Sequence, residues 1–392
     1  MNRKKDLTPF ISSIAAILCG LVFGFIILCI SNPSEAVAGF GTILTGSITH
    51  GMKGIGDALY YATPLILCGL SVGFAFKTGL FNIGGSGQFL MGAFGGVFIG
   101  LTCKQLGPVQ WIVGLLFATL LGALWGAIPG ILKAYFNVNE VISCIMLNYI
   151  SLFFVNMTIK GNKILFNNWR NESADIPKSA TIPKLGLDKI FADISVKGGK
   201  EVISSSSVNS GIIIAILVAI LLYIVLEKTT FGYELKACGL NKIASRYAGI
   251  NENRSIVLSM VIAGAIAGLA GGIMLLSGTG RHIEIKDVIP AEGFNGISVA
   301  LLGVSNPIGI IFSGLFIAYL YAGGFYLQLF HFSKEIIDII IAIIIYFSAF
   351  ALIIKMLLSK FSKKPPEREL IAVQKALHDA EIKDKNNKEK GV

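Results

Sequence analysis

Long apolar runs separated by short polar stretches dominate the chain, and their length sets the first expectation. Residues 9–30 carry no charge, and residues 336–354 carry only Asp338 near their start. A helix rises about 1.5 Å per residue and satisfies its own backbone, so roughly 20 apolar residues cross a hydrocarbon core. No stretch of that length alternates apolar and polar positions as the strands of a membrane barrel do. The pattern predicts an all-α integral membrane protein with about ten transmembrane helices. They fall near 10–30, 58–76, 86–103, 111–132, 140–159, 209–227, 255–277, 289–304, 307–327 and 336–357, the third and eighth short and glycine-rich.

Composition agrees with the pattern. Of 392 residues, 54% are hydrophobic and 14% charged, and the mean hydropathy is +0.73. A soluble domain carries about 25% charge, so a chain facing water on all sides is excluded. The first apolar run follows Arg3, Lys4 and Lys5. It exceeds the roughly 7–15 residues of a signal core and no small-residue cleavage site follows directly, so it is expected to remain as the first helix. The six cysteines are scattered without a CxxC pair, which argues against a zinc site or a disulfide scaffold. His50, His282, His331 and His378 are far apart and show no metal-ligand spacing; they read as interfacial or solvent-facing residues. No metal and no nucleic-acid partner is expected.

Charge then orients the elements. Lys and Arg are retained in cytoplasmic flanks. Ten crossings put Arg3 to Lys5, the segment holding Lys228, Lys236, Lys242, Arg246 and Arg254, and the tail from Lys355 on one side, with both termini cytoplasmic. The expected organisation is a transmembrane domain over 1–358, with an extracytoplasmic loop at about 160–208 and a cytoplasmic loop at about 228–254, then a charged cytoplasmic tail over 359–392. The basic start of that tail suits anionic lipid. The outer loop separates two sets of five helices that begin on opposite sides, the plan of an inverted repeat.

Two short segments bring polar chemistry to membrane depth. The first runs Gly79, Leu80, Phe81, Asn82, Ile83, Gly84, Gly85, Ser86, Gly87, Gln88 between two apolar helices. Each glycine weakens a helix by about 1 kcal/mol relative to Ala, and irregular backbone at that depth must be buried in protein or line a cavity. The amides of Asn82 and Gln88 suit a neutral polar solute. The same glycines also suit a tight small-residue helix crossing. The second segment, Glu292, Gly293, Phe294, Asn295, Gly296, Ile297 and Ser298, repeats these ingredients in the second half of the chain. Paired interruptions in corresponding positions point to a translocation site. Asn139 to Ser143 and Met146 to Tyr149 open the fifth helix, with Glu140 suited to its positive end and Asn148 two turns inside.

A third segment lies on the cytoplasmic side. Phe231, Gly232, Tyr233, Glu234, Leu235, Lys236, Ala237, Cys238 and Gly239 continue through Asn241, Ala244, Arg246, Tyr247, Ala248, Gly249 and Ile250. It is amphipathic and rich in small residues, so a short helix there fits a groove on another protein. The chain contains no G-x-x-x-x-G-K-[ST] phosphate loop; any ATP-driven step belongs to a partner.

Taken together, the Phe81 to Gly84 and Gly87, Gln88 motif, Asn139 to Ile142 with Met146 to Tyr149, the Gly239 to Ile250 loop and Gly293, Phe294 to Leu302, Gly303 resemble the ABC permeases of the branched-chain amino acid, ribose and nucleoside superfamily. The form of the first motif is most similar to the nucleoside permeases, and the likeness covers about residues 10–358. Ser86 stands where many members carry Glu. The resemblance implies a subunit of a bacterial cytoplasmic-membrane importer that works by alternating access. Its expected partners are an ABC ATP-binding subunit that uses ATP and Mg, a second permease subunit, identical or homologous, and an extracytoplasmic substrate-binding lipoprotein that delivers nucleosides. The chain itself is expected to bind no cofactor and to catalyse nothing. Phe81, Asn82, Gln88, Asn148, Phe294 and Asn295 are then expected along the solute path. Glu234, Gly239, Asn241, Ala244, Tyr247 and Gly249 are expected to couple the chain to the ATPase. Branched-chain amino acids or a pentose are the alternative solutes. An ion-driven transporter would place ionisable groups at mid-membrane, where Asp338 is the main candidate. A membrane-embedded enzyme lacks paired carboxylates or an activated nucleophile in this sequence.

Overall fold

A computed structural model describes residues 8–49, 51–197 and 200–349. Arg3 to Lys5, His50, His378 and the tail expected over 359–392 lie outside the described residues. The helices are α1 (Thr8–Ser31), α2 (Ala36–Thr49), α3 (Gly51–Lys77), α4 (Gly85–Thr102), α5 (Gln110–Phe136), α6 (Glu140–Gly161), α7 (Leu187–Ile190), α8 (Gly211–Lys228), α9 (Thr230–Leu240), α10 (Lys242–Tyr247), α11 (Glu252–Leu275), α12 (Glu292–Leu302), α13 (Pro307–Phe325) and α14 (Lys334–Ala349). Between α6 and α8 lie two antiparallel strand pairs, β1 (Phe166–Asn167) with β2 (Glu172–Ser173) and β3 (Asp193–Lys197) with β4 (Lys200–Ser204).

Short polar side chains set where many of these helices begin. Asn139, Thr229, Asn241, Asn251 and Asn306 each accept a hydrogen bond from a backbone N–H in the first turn of the helix that follows. That satisfies a donor with no intrahelical partner. Glu140, next to its cap Asn139, pairs with Lys133 of α5 at 2.9 Å and ties the α5–α6 corner.

A helix occupies the described part of each apolar stretch, and six among the described residues are long and apolar enough to span a bilayer by length and composition. These are Gly51–Lys77, Lys104–Phe136, Glu140–Gly161, Gly211–Lys228, Glu252–Leu275 and Pro307–Phe330. The pattern missed α2 and the full length of α3. Residues 36–49 contain three glycines and polar threonines and serine, which dilute the apolar signal, yet they form a helix whose Ser47 donates to Tyr319 O (3.1 Å) while the Tyr319 hydroxyl donates to Leu44 O (2.5 Å).

At the centre, α11 packs on α3, α4 and α5, while α3 packs on α11, α12 and α13. Lipid gives helices no hydrophobic reason to associate, so close backbone packing must do it. Gly122 and Gly126 of α5 lie directly on Gly264 and Gly268 of α11, where any Cβ would strike a facing backbone atom.

Candidate functional site

The first broken segment begins where α3 ends. Gly79 has φ +70°, a left-handed conformation that suits glycine, and turns the chain toward α4. Thr78 donates to Ala75 O at 2.8 Å and shares a 2.5 Å hydrogen bond with Ser259 of α11. Phe81 stacks on Phe76 with ring centroids 5.5 Å apart. Asn82, fully buried, donates to Gln88 Oε1 at 2.8 Å, and Gln88 donates back to Asn82 Oδ1 at 3.1 Å. The pair closes a seven-residue loop, 82–88, across the start of α4.

The start of α4 is capped from another helix. Gly84 has no side chain to offer. Asn148 of α6 accepts from Gly87 N at 2.9 Å and donates to Ile83 O at 3.1 Å. A Cβ at residue 87 would lie against the Asn148 amide, so glycine there is what admits the cap. Asn82, Gln88 and Asn148 therefore hold the break in shape, and none of them lines the cavity described below.

The second broken segment meets the first. Gly293 in the first turn of α12 rests on Gly85 and Ser86 so closely that its Cβ would coincide with their backbone, and Gly296, one turn on, rests on Cys68 of α3 in the same way. The two interruptions legible in sequence are thus in direct backbone contact. Ser86 Oγ lies at this junction, fully buried and without a hydrogen-bond partner.

The opposite face of the same α12 turn forms one wall of a cavity of about 350 Å³. Glu292 and Asn295, three apart on a helix, share that face. Facing them are Tyr60 and Tyr61 of α3, Arg281 from the segment between α11 and α12, Tyr321 of α13 and Asp338 of α14. Asn295 donates to the Tyr321 hydroxyl at 3.2 Å, and the Tyr60 hydroxyl shares a 2.9 Å hydrogen bond with Thr279. The Arg281 guanidinium sits over the rings of Tyr60 and Tyr61, at 5.6 and 5.7 Å, and its Nη1 is 4.0 Å from Glu292 Oε1. Arginine stays protonated at any physiological pH, so Arg281 brings a fixed positive charge to this wall.

Of the residues expected on a solute path, Asn295 lies on the cavity wall, Phe294 is partly exposed beside it, and Phe81, Asn82, Gln88 and Asn148 lie around the break behind it. Sequence reasoning missed Arg281 and the tyrosines. One signal was available: Arg281 is the lone arginine in the short polar stretch between two apolar runs. His282, read as interfacial or solvent-facing, is only 10% exposed and lies 3.3 Å from Asp175 Oδ1. It helps fasten the segment between α11 and α12 to the loop between α6 and α8.

At the far end of α3, Gly239 of α9 backs onto Lys77, Thr78 and Gly79. Leu235 and Cys238 are buried, Glu234 is half-buried, and the surface is left to α10 and its flanks. Asn241, Ala244, Tyr247 and Gly249 are exposed, beside Leu240 and Ile243. Leu240 and Tyr247 are each 89% exposed, an unusual position for large apolar side chains and one suited to a covering partner.

The sequence matches the family model described as branched-chain amino acid transport system / permease component over residues 54–349. The guanosine ABC transporter permease protein NupP of Bacillus subtilis is 36% identical over 361 residues, covering 92% of this chain and 99% of the relative. The nucleoside ABC transporter permease protein NupB of Lactococcus lactis is also 36% identical, over 92% of this chain and 95% of the relative. The glucose ABC transporter permease protein TsgB13 of Haloferax volcanii is 30% identical over 85% of each. No solved structure matches the chain.

Proposed function

From the premise that the chain belongs to the branched-chain amino acid transport system permease family, we propose that it is the membrane-spanning permease subunit of an ATP-driven ABC importer that carries nucleosides across a bacterial cytoplasmic membrane. The observation that carries the solute class is 36% identity to NupP and NupB along nearly the whole chain. The cavity supports it, since tyrosines, an arginine and side-chain amides suit a heteroaromatic base with a polyhydroxyl sugar.

The proposed partners are an ABC ATP-binding subunit that consumes ATP and Mg, a second permease subunit, and a substrate-binding lipoprotein on the outer side. Residues 1–358 form the permease domain, both termini and 228–254 are cytoplasmic, and 160–208 is extracytoplasmic. On this reading the chain crosses the membrane ten times, with 289–304, whose helical part is α12, counted as one short passage. The exchange of packing roles, α11 on α4 and α5 against α3 on α12 and α13, supports two inverted halves.

Glu234, Gly239, Asn241, Ala244, Tyr247 and Gly249 then couple to the ATPase. A push on α10 is carried by Gly239 to Lys77 through Gly79, from there through the Asn82–Gln88 pair to the start of α4, and across the Ser86–Gly293 contact to the cavity wall. Solute passes when that contact opens. Phe81, Asn82, Gln88, Asn148, Phe294 and Asn295 border the opening. The chain performs no covalent chemistry.

The kinship with TsgB13 favours a sugar as the second reading. Cells expressing the complete transporter should take up labelled guanosine, with unlabelled adenosine or uridine competing and glucose or leucine without effect. Glucose competition with no nucleoside competition would transfer the assignment to a sugar.

A further inference from the structure

Resting on the nucleoside reading, we infer that the 350 Å³ cavity is itself a solute-binding site that accepts uncharged nucleosides and rejects their phosphorylated forms, with Glu292 and Asp338 as the discriminating residues. Three charged side chains line it, one cation and two carboxylates. Arg281 is matched by Glu292 at 4.0 Å and rests on Tyr60 and Tyr61. Asp338 adds a second negative charge on the α14 side, so the cavity is negative overall.

That balance suits one ligand chemistry. The ribose hydroxyls donate, and a carboxylate is an acceptor-only group whose hydrogen bonds from O–H are short and strong. The base finds stacking partners, since heteroaromatic rings settle on tyrosine rings and on the arginine guanidinium. A phosphate carries about −1.5 to −2 charge near neutral pH. Entering here it would meet Asp338 at the exposed rim and Glu292 in a recess where the Arg281 and Glu292 side chains are about two-thirds shielded, 35% and 32% exposed, and where charges act more strongly than in water. The repulsive element is the source of selectivity. A site built for phosphate would invert the count.

The test uses the full chain assembled with its ATPase and partner permease in nanodiscs, without the binding lipoprotein, whose own selection would mask that of the cavity. Binding of radiolabelled guanosine and of GMP is measured at equilibrium. Wild type should bind guanosine and prefer it to GMP by more than about tenfold. Glu292→Gln with Asp338→Asn, which keep shape and remove both charges, should weaken guanosine about tenfold, the loss of one strong hydrogen bond to a charged group. The same change should bring GMP within about threefold of guanosine. Asp338 is exposed, so Asp338→Asn alone is the milder change for folding, and it should narrow the preference in the same direction. Guanosine binding with an unchanged preference in both variants would overturn the inference while leaving the nucleoside reading standing. Wild type that binds glucose and no nucleoside would overturn both.

Discussion

A buried amide in a membrane protein has no water to turn to, and Asn82 and Gln88 answer that need with each other. Removing one partner leaves the other unsatisfied, at about 1–3 kcal/mol. Asn82→Ala should lower stability by about that much in a denaturant titration of the purified chain. Adding Gln88→Leu should cost less than the sum of the two single changes, because the orphaned amide is gone. Additive losses would mean that the pair does not hold the break. Glycine gives a sharper contrast. At Gly85 a Cβ would find Gly293 O at 3.6 Å, an ordinary contact, whereas at Gly293 it would collide with the backbone of Ser86. Gly85→Ala should therefore retain transport, and Gly293→Ala should lose most of it with the protein still in the membrane, as uptake and immunoblotting of the same cells will report. The residue types at the break were legible in sequence, since Gly, Asn and Gln between apolar runs have few other uses. Their partners were not, because Gln88 to Asn82 and Asn148 to Gly87 are contacts that only the folded loop and α6 create.

Elements were legible in proportion to their apolar length. The long helices appear where the hydropathy pattern put them, whereas α2 was hidden by its glycines and hydroxyls, and α12 is shorter than its apolar run suggested. Its 11 residues reach only about 16 Å, about half the thickness of a hydrocarbon core, and its first turn places Glu292 and Asn295 on the cavity wall. The stretch that forms α9 and α10 was expected as a short amphipathic helix. The fold adds that α9 is anchored by Leu235 and Cys238 and touches the first break through Gly239, while α10 holds its apolar side chains outward. Leu240→Ser with Tyr247→Ser should cut recovery of the ATP-binding subunit in affinity purification by about tenfold, without changing the amount of this chain in the membrane. Undiminished recovery would remove α10 from the coupling surface.

The whole molecule brings together features that lie far apart in sequence. Residues 79–88 and 292–298 converge in the middle of the bundle, a cavity opens on one side of their contact, and the exposed α10 surface lies at the other end of α3. Family membership was readable from four motifs in order. The cavity was not, because Tyr60, Arg281, Tyr321 and Asp338 come from four separate stretches and carry no motif. The most direct test of the account is transport by the purified assembly in proteoliposomes, with ATP supplied on the side bearing the ATPase. The account predicts that labelled guanosine accumulates against its gradient only when ATP, the ATP-binding subunit and the binding lipoprotein are all present. Accumulation by this chain alone, driven by a proton or sodium gradient and indifferent to ATP, would contradict it.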